Sequence, residues 1–301
     1  MRSKTESRNP KTTHIDKMDT LSMVKIINEE NMNAVKAVDA VLDNVAKAID
    51  EIAERFMDGG RIFYMGAGTS GRLGIIDAAE CPPTFGLDKE RVVGIIAGGE
   101  KCLAIAGEGN EDSGADGIAD LSKYNLTEKD TVVGISVAGN AAYVVDAMKF
   151  AKEKGCLTVG ITSNEGSLTD KTADISIVPD TGAEVITGST RMKAGSSQKF
   201  ILNMISTSVM IKCGYVSQNS KQRYVIGKRC RQMGLVNQLK LSPQTAAVLD
   251  SQLKRLFDES GLSVSFYVLE NGERINYSNM PQSRPTRIDY SMLGEKSVYW
   301  Y

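Results

Sequence analysis

Five short apolar runs, at positions 61–65, 92–97, 131–137, 157–162 and 175–178, alternate with stretches of helical periodicity. No other feature of the chain constrains its fold as strongly. A strand that is apolar at nearly every position is buried on both faces, and strands that alternate with helices need crossovers that lay those helices over the sheet. The helical stretches are expected at about 71–79, 102–107, 113–123, 141–154 and 190–213. The pattern predicts an α/β fold with a doubly wound, five-stranded parallel sheet and ligands at the carboxyl ends of the strands.

The flanks read differently. Residues 1–20 are polar and are expected to be irregular. From 20 to 57, Leu21, Val24, Ile27, Val35, Val38, Val45, Ile49, Ile52 and Phe56 recur at spacings of three and four, which predicts N-terminal helices ended by Gly59 and Gly60. After about Val216 the texture changes. Positions 243–257 suit a helix, and 265–277 alternate around Asn271 and Gly272, a hairpin signal. The expected organisation is an arm and helices over 1–53, the sheet domain over 54–217, and a divergent α+β appendage over 218–301.

Bulk properties remove several functions. A formal net charge of -1 gives no basis for a nucleic acid or an anionic membrane as a partner. The five cysteines, at 81, 102, 156, 213 and 230, are odd in number, irregularly spaced and contain no C-x-x-C, which argues against a disulfide framework or a zinc site. The N-terminus has no apolar core of a secretory signal, and no apolar run approaches the roughly 20 residues of a spanning helix. A cytoplasmic protein with no metal is expected.

The chemistry begins after the first strand. The string GAGTSGR (66–72) opens a helix, so its backbone N–H groups and the helix N-terminus face an anion, with hydroxyls from Thr69 and Ser70 beside them. Gly68, Thr69, Ser70, Gly71 and Arg72 are therefore candidate phosphate ligands. The spacing also fits the dinucleotide fingerprint G-x-G-x-x-G, or a purely structural turn. A dinucleotide fold wants a carboxylate at the tip of strand two, where the chain instead has Ala97, Gly98 and Gly99, with Glu100 one step late. Similar loops carry Ser136 and Asn140 after strand three, and Ser189 and Lys193 before the last helix of the domain. Each also suits plain helix capping.

Two carboxylates stand out. Glu80 precedes Cys81, Pro82 and Pro83, and Pro82 is expected to break the helix just after Glu80 and turn its carboxylate towards the pocket. Glu111 lies in the loop string EGNEDS (108–113). The single histidine, His14, sits in the polar arm, so histidine-based catalysis or metal binding has few parts to work with. Acid–base work falls to carboxylates.

Together the strings YMGAGTSGRLGIIDAAECPPTFG (64–86), IIAGGE (95–100), EGNEDS (108–113) and GAEVITGSTRMKAGSSQKFILNMIS (182–206) resemble the N-acetylmuramic acid 6-phosphate etherases, over roughly residues 5–216. The resemblance implies a sugar isomerase (SIS) fold and a cofactor-free homodimer. It implies a phosphorylated amino sugar substrate whose D-lactyl ether is cleaved to N-acetylglucosamine 6-phosphate and D-lactate. It implies Glu80 and Glu111 as the catalytic pair, with Glu184, Ser189 and Lys193 beside the substrate. A related branch, the glucokinase regulatory protein, is non-catalytic, so a phosphosugar-binding regulator is the alternative reading, with a sugar-phosphate isomerase as a third. Two departures are plain. Where the family usually has Ser-Gly-Arg-Thr-Pro after strand three, this chain has AGNAA (138–142), and beyond Val216 the family's C-terminal pattern does not continue.

Overall fold

The computed structural model describes residues 4–105, 107, 109–218, 224–226, 243–260, 264–270 and 273–280. It divides into two units, Met1–Cys213 and Gly214–Tyr301. The first unit holds the arm, the N-terminal helices and the sheet together.

Its sheet consists of β1 (Ile62–Gly66), β2 (Val92–Ile96), β3 (Thr131–Ile135), β4 (Leu157–Ile161) and β5 (Ile175–Ile177), in the order β2-β1-β3-β4-β5. Every pairing is parallel. β1, β3 and β4 are buried at all positions, which is why they read as unbroken apolar runs. The order reverses between β1 and β3, so the carboxyl ends of those two strands flank the switch point of a doubly wound sheet.

The helices are α1 (Thr20–Asp39), α2 (Leu42–Met57), α3 (Gly68–Phe85), α4 (Lys101–Ala104), α5 (Gly114–Ser122), α6 (Ala142–Glu153), α7 (Leu168–Thr172) and α8 (Lys193–Lys212). On α2, Val45, Ala48, Ile49, Ile52, Ala53 and Phe56 make one buried stripe. Phe63, Met65 and Val132 pack with Tyr143, Val144, Ala147 and Met148 of α6 in a core cluster on one side of the sheet. Ten buried methylene-sized groups at about 0.8 kcal/mol each already match the net stability of a small domain, so this layer fixes the sheet.

The chain departs from the expected pattern at three places. Pro82 and Pro83 lie inside α3, which runs on to Phe85 and ends at Gly86 in the left-handed region, φ 69°. Proline's own φ is helical, and so near the C-terminus only two backbone bonds are forfeited. The residues expected to be irregular form short 3₁₀ turns, Lys4–Glu6, Pro10–Thr12 and Ile15–Lys17. They are pinned from far away: Lys4 N–H donates to Asn164 Oδ1 (3.0 Å) and the Thr12 hydroxyl to the Val185 carbonyl (2.8 Å). α7 carries too few residues to show a period.

A buried ion pair ties the sheet entrances together. Asp130, just before β3, accepts from Arg61 Nη2 (2.8 Å), Arg61 N–H (2.9 Å) and Thr127 N–H (2.8 Å). Burial alone raises a carboxyl pKa, but the Arg61 and Thr127 hydrogen bonds outweigh it and hold Asp130 below the usual value. A depressed folded pKa gives stability that is present above the unfolded value of about 3.9 and lost as pH falls through the folded one. Glu30 behaves alike, because bonds from Lys193, Lys11 and Asn9 overcome its burial. Asp130→Asn is therefore expected to lower the chemical midpoint of unfolding at pH 7. The gap to wild type should narrow in strong acid, as pH falls through the depressed folded value and the carboxyl becomes protonated in the folded and unfolded states alike. An equal gap at pH 7 and in strong acid contradicts this account.

In the second unit, β6 (Val216–Gln218) pairs antiparallel with β7 (Tyr224–Ile226), a helix covers Pro243–Ser260, and β8 (Val264–Glu270) pairs antiparallel with β9 (Glu273–Met280). The hairpin and the helix read from the sequence are both there, while the turn residues Asn271 and Gly272 lie outside the described residues.

Candidate active site

The glycine loop joins β1 to α3 by close contact. A Cβ on Gly71 would stand 2.5 Å from the Gly66 carbonyl oxygen and 2.6 Å from Ile96 Cγ1, so helix and strand touch backbone to backbone. Gly68 has φ 53°, a left-handed conformation that a side chain rarely adopts. The first-turn N–H groups of α3 have no partner within the helix and point past the end of β1.

A cavity of about 300 Å³ opens there, lined by Ala67, Gly68, Arg72, Ala97, Cys102, Gly107, Gly109, Asn110 and Glu111. It lies at the carboxyl ends of β1 and β2, and it brings the glycine loop and Glu111 together. A larger cavity, about 410 Å³, sits at the other end of the sheet beside Leu157 and Ile175, the first residues of β4 and β5. The rule that doubly wound sheets bind ligands at strand carboxyl ends favours the smaller one.

The remaining candidates are placed as follows. Arg72 donates through Nε to the Leu103 carbonyl (2.8 Å) and through Nη2 to that of Cys102 (2.7 Å). Its guanidinium thus ties the α4 segment, which leads to Glu111, onto the start of α3. Ser70 is buried, and its hydroxyl donates to Gln198 Oε1 on α8 at 2.9 Å. Thr69 packs towards Gly195 at the start of α8. Ser136 is buried and accepts from the Gly139 N–H (3.1 Å), while Asn140 accepts from the Leu168 N–H (3.2 Å) and so fixes the start of α7.

Glu184 is fully buried and accepts from Lys193 N–H (3.1 Å) and Ala194 N–H (3.0 Å), an anionic cap on α8. Lys193 is buried too, with Nζ 2.6 Å from Glu30 Oε2 and 2.6 Å from the Ala183 carbonyl. Ser189, half-buried, caps the loop between them through its N–H to the Ile186 carbonyl (2.9 Å).

Glu80 stands on the exposed face of α3 and does not line the cavity. Twelve positions separate it from Gly68, about 18 Å along a helix. The chain reversal expected at Pro82 is absent, which accounts for the placement. One turn earlier, buried Asp77 accepts from Asn203 Nδ2 (2.8 Å) and the Ser206 hydroxyl (3.1 Å). Burial holds its carboxyl above the usual range, more than these donors lower it. Neighbouring Cys81 is pushed up to about 12, first by burial and then by the charges of Asp77 and Glu80, so its thiol is no nucleophile at neutral pH. Gln198 and Asp77 lay inside the motif strings, but nothing in their spacing separated them from core positions. Among the described residues no helix is long and apolar enough to cross a membrane.

Residues 44–152 match the model of the glucokinase regulatory protein N-terminal SIS domain, and residues 111–208 match that of the SIS domain. The N-acetylmuramic acid 6-phosphate etherase of Clostridium beijerinckii is 54% identical over 215 residues, 71% of each chain. That of Caldanaerobacter subterraneus is 53% identical over 215 residues, 71% of this chain and 70% of its own. That of Pasteurella multocida is 53% identical over 215 residues, again 71% of each.

Proposed function

This chain belongs to the N-acetylmuramic acid 6-phosphate etherase family, and we propose that it is a carbon–oxygen lyase that converts N-acetylmuramic acid 6-phosphate into N-acetylglucosamine 6-phosphate and D-lactate in amino sugar recycling. The observation that carries the reading, beside the family, is the cavity that brings the glycine loop and Glu111 together. The first-turn amides of α3 with Thr69 and Ser70 hold the phosphate, and Ser136 closes its far side. In the open-chain sugar the aldehyde makes the C2 proton acidic. Glu111 removes that proton and lactate leaves C3 with a proton from Glu80; Glu80 then takes a proton from the water that adds to C3, and protonated Glu111 returns a proton to C2. Each proton transfer by a placed group is worth about 10²–10⁴-fold. Arg72 and Glu184 hold the loops that carry these groups, and the reaction proceeds in the cytoplasm without a cofactor.

Because Glu80 is exposed and outside the cavity lining in one protomer, we propose that it serves the site of a second copy, in a homodimer. Mixing separates the two arrangements. Glu80→Gln and Glu111→Gln proteins, each inactive alone, are expected to recover about a quarter of wild-type lactate release after unfolding and refolding together, because half the dimers are mixed and each mixed dimer has one intact site. No recovery in dimers shown to be mixed contradicts shared sites. Lactate release absent from the wild-type protein, with the phosphosugar still bound, favours the regulator instead, the reading that the changed loop 138–142 supports.

A further inference from the structure

Ser70 and Gln198 face each other across the packing of α3 on α8. Both are buried, Gln198 completely, and their side chains meet at 2.9 Å with Ser70 as donor and Gln198 Oε1 as acceptor. In that orientation Gln198 Nε2 is buried without a hydrogen-bond partner. A buried amide nitrogen that donates to nothing is costly, and buried N–H groups are rarely left so.

A serine hydroxyl has one proton. If that proton goes to Gln198, an anion in the glycine loop meets only the lone pairs of Ser70. The two ends of a glutamine amide are interchangeable by a half-turn of the terminal torsion, without backbone movement. After the half-turn Nε2 donates to Ser70 Oγ over the same short distance. The Ser70 proton is then free to turn towards the loop, and the unpartnered atom becomes a carbonyl oxygen, which buried sites tolerate better than an N–H. The same rotation thus removes the orphaned donor and equips the loop with one.

We propose that Gln198 is a positioning residue for phosphate recognition: its amide nitrogen donates to Ser70 and so commits the Ser70 proton to the sugar phosphate. This rests on the reading that Ser70 holds that phosphate. It requires no new contact between Gln198 and substrate, because the glutamine acts only through the hydroxyl.

The test is a double-mutant cycle in the full-length protein, read as KM and kcat for N-acetylmuramic acid 6-phosphate and as the inhibition constant of inorganic phosphate. Gln198→Glu places an acceptor against Ser70 and takes its proton. Gln198→Met removes both amide groups at similar volume and carries the test if the buried carboxylate prevents folding, which thermal melting reports. Losing one charge-assisted hydrogen bond corresponds to roughly ten- to a hundredfold in affinity. Gln198→Glu is expected to raise KM and the phosphate inhibition constant by that factor, Gln198→Met by less, with kcat falling by a smaller factor. In a Ser70→Ala background either substitution should add less than about twofold, since the proton it controls is gone. Equal factors in both backgrounds overturn the proposal and leave Ser70 as a phosphate ligand. An unchanged KM and phosphate inhibition in Ser70→Ala itself removes the premise, and the proposal with it.

Discussion

Glu111→Gln should lower lactate release by about 10²–10⁴-fold while inorganic phosphate still binds. The substitution keeps the size of the side chain and its place in the cavity with Gly68 and Arg72, but an amide accepts no proton at neutral pH. The proposed phosphate contacts, from backbone amides and the buried Ser70 hydroxyl, are groups that the substitution leaves chemically unchanged. The loss therefore belongs in kcat, and the inhibition constant of phosphate should stay within about threefold of wild type. Measured steady-state lactate release and phosphate inhibition separate the two. Parallel loss of both would mean that Glu111 shapes the cavity and is no base.

Lys193→Met should destabilise the protein by about 3 kcal/mol, the lower end of the range for breaking a buried pair. The Lys193 side chain is 2% exposed, that of its partner Glu30 3%, and their charged groups stand 2.6 Å apart. Removing it leaves a buried carboxylate with weaker support from Lys11 at 3.1 Å and Asn9 at 2.8 Å. Glu30 is also where the arm, α1 and α8 meet, so the arm should loosen together with the loop before α8. Urea unfolding measures the first effect and protease sensitivity near residue 10 the second. The double variant Lys193→Met with Glu30→Met is expected to recover part of the loss, because no buried charge remains. A single variant within about 0.5 kcal/mol of wild type contradicts this role. A substrate contact for Lys193 would instead appear in KM.

Much of the sheet was legible because its physics is local. A run such as 131–135 is apolar at every position for the same reason that β3 is buried at every position. The glycine loop was legible because Gly66 and Gly71 must touch, and only glycine allows it. What the sequence concealed depends on residues far apart in the chain. The contact between Lys193 and Glu30 is one such pairing, 163 positions apart in the chain. The arm reads as irregular because its fixed points, Asn164 and Val185, lie 160 and 173 positions off. Pro82 reads as a helix breaker because the rule is local, whereas α3 simply ends one turn later at Gly86. Asn140 reads as a phosphate donor, and its oxygen in addition accepts from the Leu168 N–H at the start of α7, an element too short to leave a pattern.

Isotope placement tests the two-carboxylate elimination most directly. The wild-type reaction run in D₂O, with the N-acetylglucosamine 6-phosphate product read by NMR, should show deuterium at C2. Run in H₂¹⁸O, it should place the label in the C3 hydroxyl of that sugar and leave the lactate unlabelled. Hydrogen retained at C2, with ¹⁸O in the lactate, would mean that water attacks the lactyl carbon, and the assignment of a C2 base would be wrong.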